Sequence, residues 1–441
     1  MALINLPPGD ASVDAIDEFA KSAHVIDLAA WLDQLPLSAA QQHLSRLPLV
    51  RRAEAFENLP LNTQLGLARA MTQAELAEIV TEMDADDRAD LFNRLTADEQ
   101  QHLLADLAPE DRDDIRALSS HDEGSVGALM TTDYASLSEG MTAAEAIASL
   151  RRDAPGKETI YRSYILDGGH RLIGSIRLHE LILAEDDMPV REIMDPAPIS
   201  IAVDAGQEDA AKTIERYDLL ALPVVDGAGR LVGIVTHDDA ADAMRAETTQ
   251  DFQKISTVLP FTQSLREAGI GVLYSKRIVW LALLVLGNLF SGAGIAHSEE
   301  MILAYVALVF FLPLLIDSSG NAGSQSATLM VRALATGDVA LSDWRDLILR
   351  ELLIATALGA TMALVVLPIG AWRGGPEIAL VVGLTMFLVV IVGSLVGMSL
   401  PFLLSRLRFD PATASGPLVT TISDGVGVLV YFTIATAVLS P

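Results

Sequence analysis

Pro417-Leu-Val-Thr-Thr-Ile-Ser-Asp424-Gly-Val-Gly-Val-Leu-Val-Tyr-Phe-Thr-Ile-Ala-Thr-Ala-Val-Leu439 is the stretch on which the fold turns. Its length suits a membrane-spanning helix, which needs about 20 apolar residues, and Asp424 is the one charge inside it. Four more apolar stretches precede it, from Arg277 to Ala296, Met301 to Leu315, Leu347 to Ala371, and Glu377 to Leu404. The sequence therefore predicts five spans within residues 274–441, an all-α membrane domain.

The residues ahead of them belong to water. Of the 441 residues, the first 271 hold 22 of the 30 Lys and Arg and 48 of the 58 Asp and Glu, a net charge of −26. The rest of the chain carries −2. Such asymmetry reads as a soluble acidic module followed by a membrane domain. The chain has no Cys, which excludes a disulfide scaffold, a thiolate metal site and a Cys nucleophile. The acidic charge argues against nucleic acid as a partner. The N-terminus lacks a basic stretch followed by an apolar run, so no cleaved signal is expected.

Basic residues set the orientation. Lys276 and Arg277 precede the first span; Arg332, Arg345 and Arg350 lie between the second and third; Arg406 and Arg408 join the fourth and fifth. The opposite side has only Arg373. The positive-inside rule then places the N-terminus in the cytoplasm and Pro441 outside.

Two carboxylates stand where hydrocarbon is expected, Asp317 in PLLIDSSGNAGSQSATL and Asp424 in the last span. An intramembrane carboxylate faces a water-filled path or a partner, because burying it in lipid is costly. The small residues around both also fit close helix packing. No Lys or Arg within the spans can neutralise Asp424, which points to a cation as its counter-charge. Pro313, Gly320 and Gly323 suggest that the second span is interrupted, with carbonyls turned to a cavity.

The soluble half holds two repeats. Leu35, Leu47, Leu59, Met71, Met83, Leu95 and Leu107 recur every twelve residues. Thr72, Asp84 and Thr96 can each cap a following helix, with Glu75, Asp87 and Glu99 three residues on. Short helices that cannot bury an apolar face alone stack into a solenoid, here over residues 1–125. The second repeat opens at Leu129-Met130-Thr131 and at Ile193-Met194-Asp195. Each copy, 126–190 and 191–246, continues as an extended stretch, a helix, two apolar strands around a Gly turn and a closing helix. This α/β order resembles a tandem CBS pair. Gly233-Ile-Val-Thr236-His-Asp-Asp239 is similar to the Gly-x-x-Thr-x-x-Asp element that contacts a ribose in CBS domains, whereas Gly174-Ser-Ile-Arg177-Leu-His-Glu180 has lost the Thr and Asp. The pair reads either as scaffold or as one site for ATP or another adenine nucleotide, at Thr236 and Asp239.

Three acidic groups stand out: Asp84, Asp86, Asp87 and Asp90; Asp226, Asp238 and Asp239; Glu247 and Asp251. Hard divalent cations take carboxylate oxygens, so a cation can stabilise a closed packing that like charges oppose. Residues 247–273 are amphipathic enough to form one connecting helix to the first span.

Together these pieces resemble the MgtE family of magnesium channels over nearly the whole chain. The specific motifs are Pro313-Leu-Leu-Ile-Asp-Ser-Ser-Gly320-Asn321-Ala-Gly323-Ser-Gln325-Ser and Asp410-Pro-Ala-Thr-Ala-Ser-Gly416-Pro417-Leu-Val-Thr-Thr-Ile-Ser-Asp424. The resemblance implies no enzyme but a homodimer in a bacterial inner membrane, with the pore between two membrane domains. It implies hydrated Mg²⁺ at Asp424, with Asn321, Thr421, Gly320, Gln325 and Asp317 as candidate pore residues. It also implies closure by cytosolic Mg²⁺ at acidic interfaces, with Asp87, Asp90, Asp226, Asp238, Asp239, Glu247, Asp251 and Asp410 as candidate ligands. Ser319 stands where the family usually has Gly, Gly124 where it often has Asp, and Gln250 where it often has Glu. The last two losses remove candidate ligands from the sensor. Mg²⁺ dehydrates reluctantly, and a polar site holding a hydrated ion suits it. Mn²⁺ and Co²⁺ remain alternatives, and so does an ion-coupled divalent-cation carrier with a nucleotide-sensing CBS module.

Overall fold

A computed structural model describes residues 13–261, 268–414 and 416–439. The chain forms two compact units, Met1–Met244 and Arg245–Pro441.

The first unit opens with helices α1 (Val13–Ser22), α2 (Val25–Leu32), α3 (Leu37–Leu44), α4 (Leu49–Glu57), α5 (Leu61–Ala70), α6 (Gln73–Glu82), α7 (Ala85–Arg94), α8 (Ala97–Asp106) and α9 (Pro109–Leu118). From α3 onward each helix starts twelve residues after the last, as the repeat predicts. Leu47, Leu59, Met83, Leu95 and Leu107 are buried in one core, with Leu35 and Met71 packed at its margin. Met71, Met83, Leu95 and Leu107 each take extended backbone just past a helix, so the repeated apolar residue pins the turn. Thr72 with Glu75 and Thr96 with Glu99 form full capping boxes. Asp84 does not cap α7 with its side chain; its N–H instead donates to the Glu57 carboxylate at 3.4 Å. Alternate helices pack on each other, α2 on α4, α4 on α6 and α6 on α8, with α3, α5, α7 and α9 as the other row.

Two similar α/β copies follow. The first comprises α10 (Val126–Leu129), β1 (Tyr134–Ser138), α11 (Ala143–Asp153), β2 (Thr159–Leu166), β3 (Leu172–Arg177) and α12 (Leu178–Leu183). The second comprises α13 (Val190–Ile193), β4 (Ile201–Ala202), α14 (Gln207–Tyr217), β5 (Ala221–Val225), β6 (Leu231–Thr236) and α15 (His237–Ile255). In each three-stranded sheet the first pair is parallel and the second antiparallel. The copies exchange their opening segments: Thr131 pairs with Ile234 of β6, and Asp195 with Ser175 of β3. That exchange explains the matched glycines. A Cβ on Gly174 would lie 2.5 Å from the Met194 sulfur, and one on Gly233 2.6 Å from the Met130 sulfur.

The single helix expected over 247–273 does not form. α15 stops at Ile255, Thr257 takes a positive φ of 55°, and Pro260 brings no N–H to continue the ladder. Residues 262–267 of that expected helix lie outside the described residues.

In the second unit α16 (Ile270–His297) is followed by α17 (Glu299–Ala304), α18 (Ala307–Ala335), α19 (Trp344–Arg406) and α20 (Gly416–Val438). Residues 270–297, 341–406 and 416–438 are long and apolar enough to cross a membrane. Gly375, with φ 84°, breaks α19 in the middle. Its halves run as a hairpin, since Gly359 lies against Phe387, Leu367 against Gly383, and Gly370 against Ala379.

The interruption expected in the second span is absent: α18 is one 29-residue helix with Pro313 inside it. Pro313 lies early in the helix, where losing one N–H costs a single bond. Gly320 and Gly323 are buried helix contacts rather than breaks. A Cβ on Gly323 would lie 2.8 Å from the Gly393 carbonyl oxygen. Buried Ser319 donates to the Val389 carbonyl at 3.0 Å, so its hydroxyl ties α18 to α19. Tyr431 donates to the Leu308 carbonyl at 3.0 Å and fastens α20 to α18.

Candidate functional site

The membrane unit brings one charge to a helix crossing. Asp424 on α20 faces α18 at Gly320, where an added Cβ would lie 2.6 Å from Thr420 Cγ2 and 3.6 Å from Asp424 Oδ1. Glycine at 320 therefore leaves the room that the Thr420 methyl group fills, with the Asp424 carboxylate beside it. Asp424 Oδ1 is buried and has no hydrogen-bond partner among the described residues. The charged group whose field reaches it is a second carboxylate, Asp317. Two acids without a base between them attract a cation.

Asp317, Asn321 and Gln325 follow at four-residue intervals and are all exposed, so they form one polar stripe along α18. Asn321 Nδ2 donates to Asp317 Oδ2 at 3.0 Å. Thr421 departs from expectation. Its methyl group lies where a Cβ on Gly287 of α16 would stand, 2.6 Å away, so it faces α16. Thr420, one residue earlier, is the neighbour of Gly320, and its hydroxyl is shared with Gly416 and Ser324. A helix positions residues 420 and 424 on one face, a spacing that the sequence already contained.

The first unit collects carboxylates where α7 meets the second α/β copy. Oxygens of Glu57, Asp84 and Asp87 can all lie within 4.8 Å of one another. Desolvation and then Asp84 push Glu57 up to about 8. Asp87 is raised by desolvation, then by Glu57 and Asp84. Asp86 is raised by desolvation and Asp239. Desolvation followed by Asp84 and Asp239 takes Glu158 to about 7. Asp90, on the same helix face as Asp87, is raised by desolvation and by Glu123, against Arg94. Asp238 adds its charge to Asp84, Glu158 and Asp239. Glu57 and Glu158 were not legible as members: each stands alone in sequence, and only stacking α4 beside α6 and bringing β2 near α15 unites them.

Buried Arg88 is the cation already present. It reaches Asp114 at 3.4 Å, Asp111 at 3.5 Å and Asp133 at 3.8 Å. At Gly124 the backbone has φ 83°, a conformation that favours glycine, so the carboxylate missing there accompanies a tight turn.

Two expected sensor residues, Asp226 and Asp410, are paired with cations of the chain itself. Asp226 closes the β5–β6 turn, accepting from the Ala228 and Arg230 N–H groups at 2.9 Å and pairing with the Arg230 guanidinium at 2.7 Å. The Arg230 hydrogen bonds hold its carboxyl below the usual range. Asp167 does the same in the first copy, so the two are matched turn residues and not members of the acidic cleft. Asp410 pairs with Lys254 Nζ at 2.5 Å and accepts from the Ala412 N–H. Its charge is thus neutralised within the second unit. Glu247 and Asp251 lie on α15 and have interactions of their own.

The nucleotide expectation also shifts. Thr236 donates its hydroxyl to Asp239, and Asp239, raised to about 6 by desolvation, sits among carboxylates that repel phosphate. An open cleft of about 440 Å³ lies between the two copies, lined by Tyr161, Arg162, Arg177 and His179 of the first and by Asp218 and Leu220 of the second, among others. Arg177 is paired there with Glu180 at 2.6 Å.

Comparison with known proteins accords with this layout. Residues 312–434 match the family described as a divalent cation transporter, residues 23–124 the MgtE intracellular N domain, and residues 126–187 and 190–246 the CBS domain. The magnesium transporter MgtE of Thermus thermophilus is 38% identical over 96% of this chain and 95% of its own. That of Bacillus subtilis is 30% identical over 93% and 91%. A solved cytosolic domain of the Mg²⁺ channel MgtE in complex with ATP is 37% identical, covers 52% of this chain and 94% of its own, and superposes with a TM-score of 0.50. The chain belongs to the MgtE family of magnesium transporters.

Proposed function

We propose that this protein is a homodimeric Mg²⁺ channel of a bacterial inner membrane, closed from the cytoplasmic side by Mg²⁺. The observation that carries the reading is Asp424, a membrane-embedded carboxylate with an unpartnered oxygen beside Gly320. Its natural counter-charge is a cation in transit. The exposed stripe of Asp317, Asn321 and Gln325 supports the dimer. Polar groups facing lipid are costly, and a second protomer turns this face into a water-filled path between the two. The hairpin in α19 and the placement of basic residues support five spans with the N-terminus inside and the C-terminus outside. Uptake of Mg²⁺ into liposomes, in competition with Mn²⁺ and Co²⁺, tests the substrate. Single-channel recording tests the mechanism: flux that requires a coupling gradient would count for a carrier.

The acidic cleft supports the gating half of the reading. Its raised carboxylates bind protons more tightly folded than unfolded, so their contribution favours folding below the unfolded pKa. That contribution is lost as pH rises toward about 8. In metal-free buffer, hydrogen-exchange protection of α4 and α7 should therefore be higher at pH 5.5 than at pH 8. Millimolar Mg²⁺ should restore it at pH 8, because the cation replaces the protons. Equal protection at both pH values without metal is the outcome against this account.

An adenine nucleotide fits the cleft between the two copies better than Thr236 and Asp239, since Arg162, Arg177 and His179 line it and polyphosphate needs cationic partners. Arg177→Ala should weaken ATP binding measured by calorimetry at least tenfold, whereas Thr236→Ala should leave it within about twofold, one lost phosphate contact being worth about 1.5–3 kcal/mol. The reverse order of effects would return the site to the second copy.

A further inference from the structure

A wide cavity of the second unit lies at the end of the α19 hairpin away from Gly375. It is a groove of about 940 Å³ between the start and the end of α19, with Ile422 of α20 in its wall, lined also by Leu341, Trp344, Arg345, Leu400, Leu403 and Arg406. The volume lies at the upper end of the range for small-molecule sites, about 300–1,000 Å³. Most of the lining is apolar, yet two guanidinium groups stand in it, and neither forms an ion pair among the described residues. The nearby acid is occupied: Asp343 accepts from the Ala340 N–H at 2.9 Å and from the Ser342 hydroxyl at 3.0 Å. Trp344 is 41% exposed and Leu403 53%, so the groove opens outward.

The chemistry of the groove is that of two solvents meeting. Arg345 lies just before the third span and Arg406 at the end of the fourth, both on the basic side that the orientation places in the cytoplasm. Tryptophan is enriched at that depth because its ring suits the headgroup boundary. Arginine forks match phosphate oxygens bidentately, and basic pockets between spanning helices on the cytoplasmic side bind lipid headgroups. An acyl chain satisfies the leucines as the phosphate satisfies the arginines.

We infer that this groove is a binding site for an anionic phospholipid of the cytoplasmic leaflet, with Arg345 and Arg406 on its phosphate and the lining of α19 against its chains. The lipid bridges the third and fourth spans at the ends opposite their Gly375 turn and so fixes the hairpin that packs against α18. The inference rests on reading these helices as membrane-spanning and on no step of ion transport.

The test uses the full chain carrying Trp280→Phe and Trp372→Phe, reconstituted into phosphatidylcholine vesicles. Trp344 is then the reporter inside the bilayer, since Trp31 is buried in the helical domain. Brominated phosphatidylglycerol and brominated phosphatidylcholine are compared as quenchers at equal mole fraction. The anionic lipid should quench Trp344 several-fold more strongly. Arg345→Gln with Arg406→Gln should remove that preference, Arg345→Lys with Arg406→Lys should keep most of it, and Arg408→Gln, outside the groove, should leave it intact. Equal quenching by both lipids overturns the site. So does a preference that survives the double Gln change or is lost equally in Arg408→Gln, which would mark a diffuse surface effect. Absence of quenching by either lipid also overturns it and indicates a second copy covering the groove. Mg²⁺ flux from the same vesicles is recorded separately, so a chain that binds lipid but passes no Mg²⁺ counts against the transport reading alone.

Discussion

Asp424→Ala is expected to abolish selective Mg²⁺ flux while leaving the protein folded. The carboxylate makes no hydrogen bond through Oδ1 among the described residues, so its loss breaks no protein contact there. What it removes is the charge that holds a hydrated dication. At about 5 Å and an effective dielectric of about 20, even one unit pair is worth ~3 kcal/mol, which is about a hundredfold in occupancy. Asp424→Asn keeps the shape and loses the charge, so it should be milder in helix packing but similarly poor in Mg²⁺ affinity. Gly320→Ala supplies an independent check. Its methyl group would clash with Thr420 Cγ2 at 2.6 Å and push α18 from α20 one turn from Asp424, so flux should fall without any change in charge. The measurement is Mg²⁺ uptake into liposomes by a chain whose helix content is verified. Wild-type flux from Asp424→Ala would remove Asp424 from the pathway.

Much of this was legible in the chain because the relevant signals are local. The twelve-residue spacing marks where each short helix ends, and the helices begin on that period through α9. The Gly turn between two apolar strands places β2 with β3 and β5 with β6. A carboxylate in an apolar stretch needs no alignment to be noticed. Other features depend on which way a side chain turns within a helix. Thr420 and Thr421 are adjacent, and only packing against α16 or α18 separates their roles. Glycine is ambiguous in the same way: in α18 the residues read as helix breakers serve close approach to α19 and α20, because those neighbours supply small surfaces at the same level. Acidic residues are least legible. Asp226 and Asp239 look alike in sequence, yet one is spent on a turn with Arg230 and the other faces α7. Lys254 and Asp410 are far apart along the chain, and their ion pair is a product of the fold alone.

Removal of residues 1–120 should leave a channel that stays open at Mg²⁺ concentrations that close the full chain. The reasoning starts from repulsion. Glu57, Asp84, Asp86 and Asp87 of the helical domain face Glu158, Asp238 and Asp239 of the α/β pair, with Arg88 as the cation between them. Arg88, even with Lys157 at 3.9 Å from Asp133, cannot balance so many carboxylates, and burial leaves several of them raised toward neutrality. Divalent cations that bind the docked arrangement stabilise it by mass action, and weak sites add their contributions, about 1.4 kcal/mol for each tenfold excess over a site's affinity. Without the helical domain the docked state cannot form, so under the proposed gating cytosolic Mg²⁺ should no longer close the pore. Gly124 and Gln250 carry no carboxylate where the family resemblance leads one to expect it, and Asp226 and Asp410 are paired with Arg230 and Lys254. The Mg²⁺ needed for closure should therefore exceed that of a chain with all of them. The measurement is open probability in patches against cytosolic Mg²⁺, alongside protease protection of the full chain. Identical Mg²⁺ dependence with and without residues 1–120 would show that the acidic cleft is a solvated surface and no sensor.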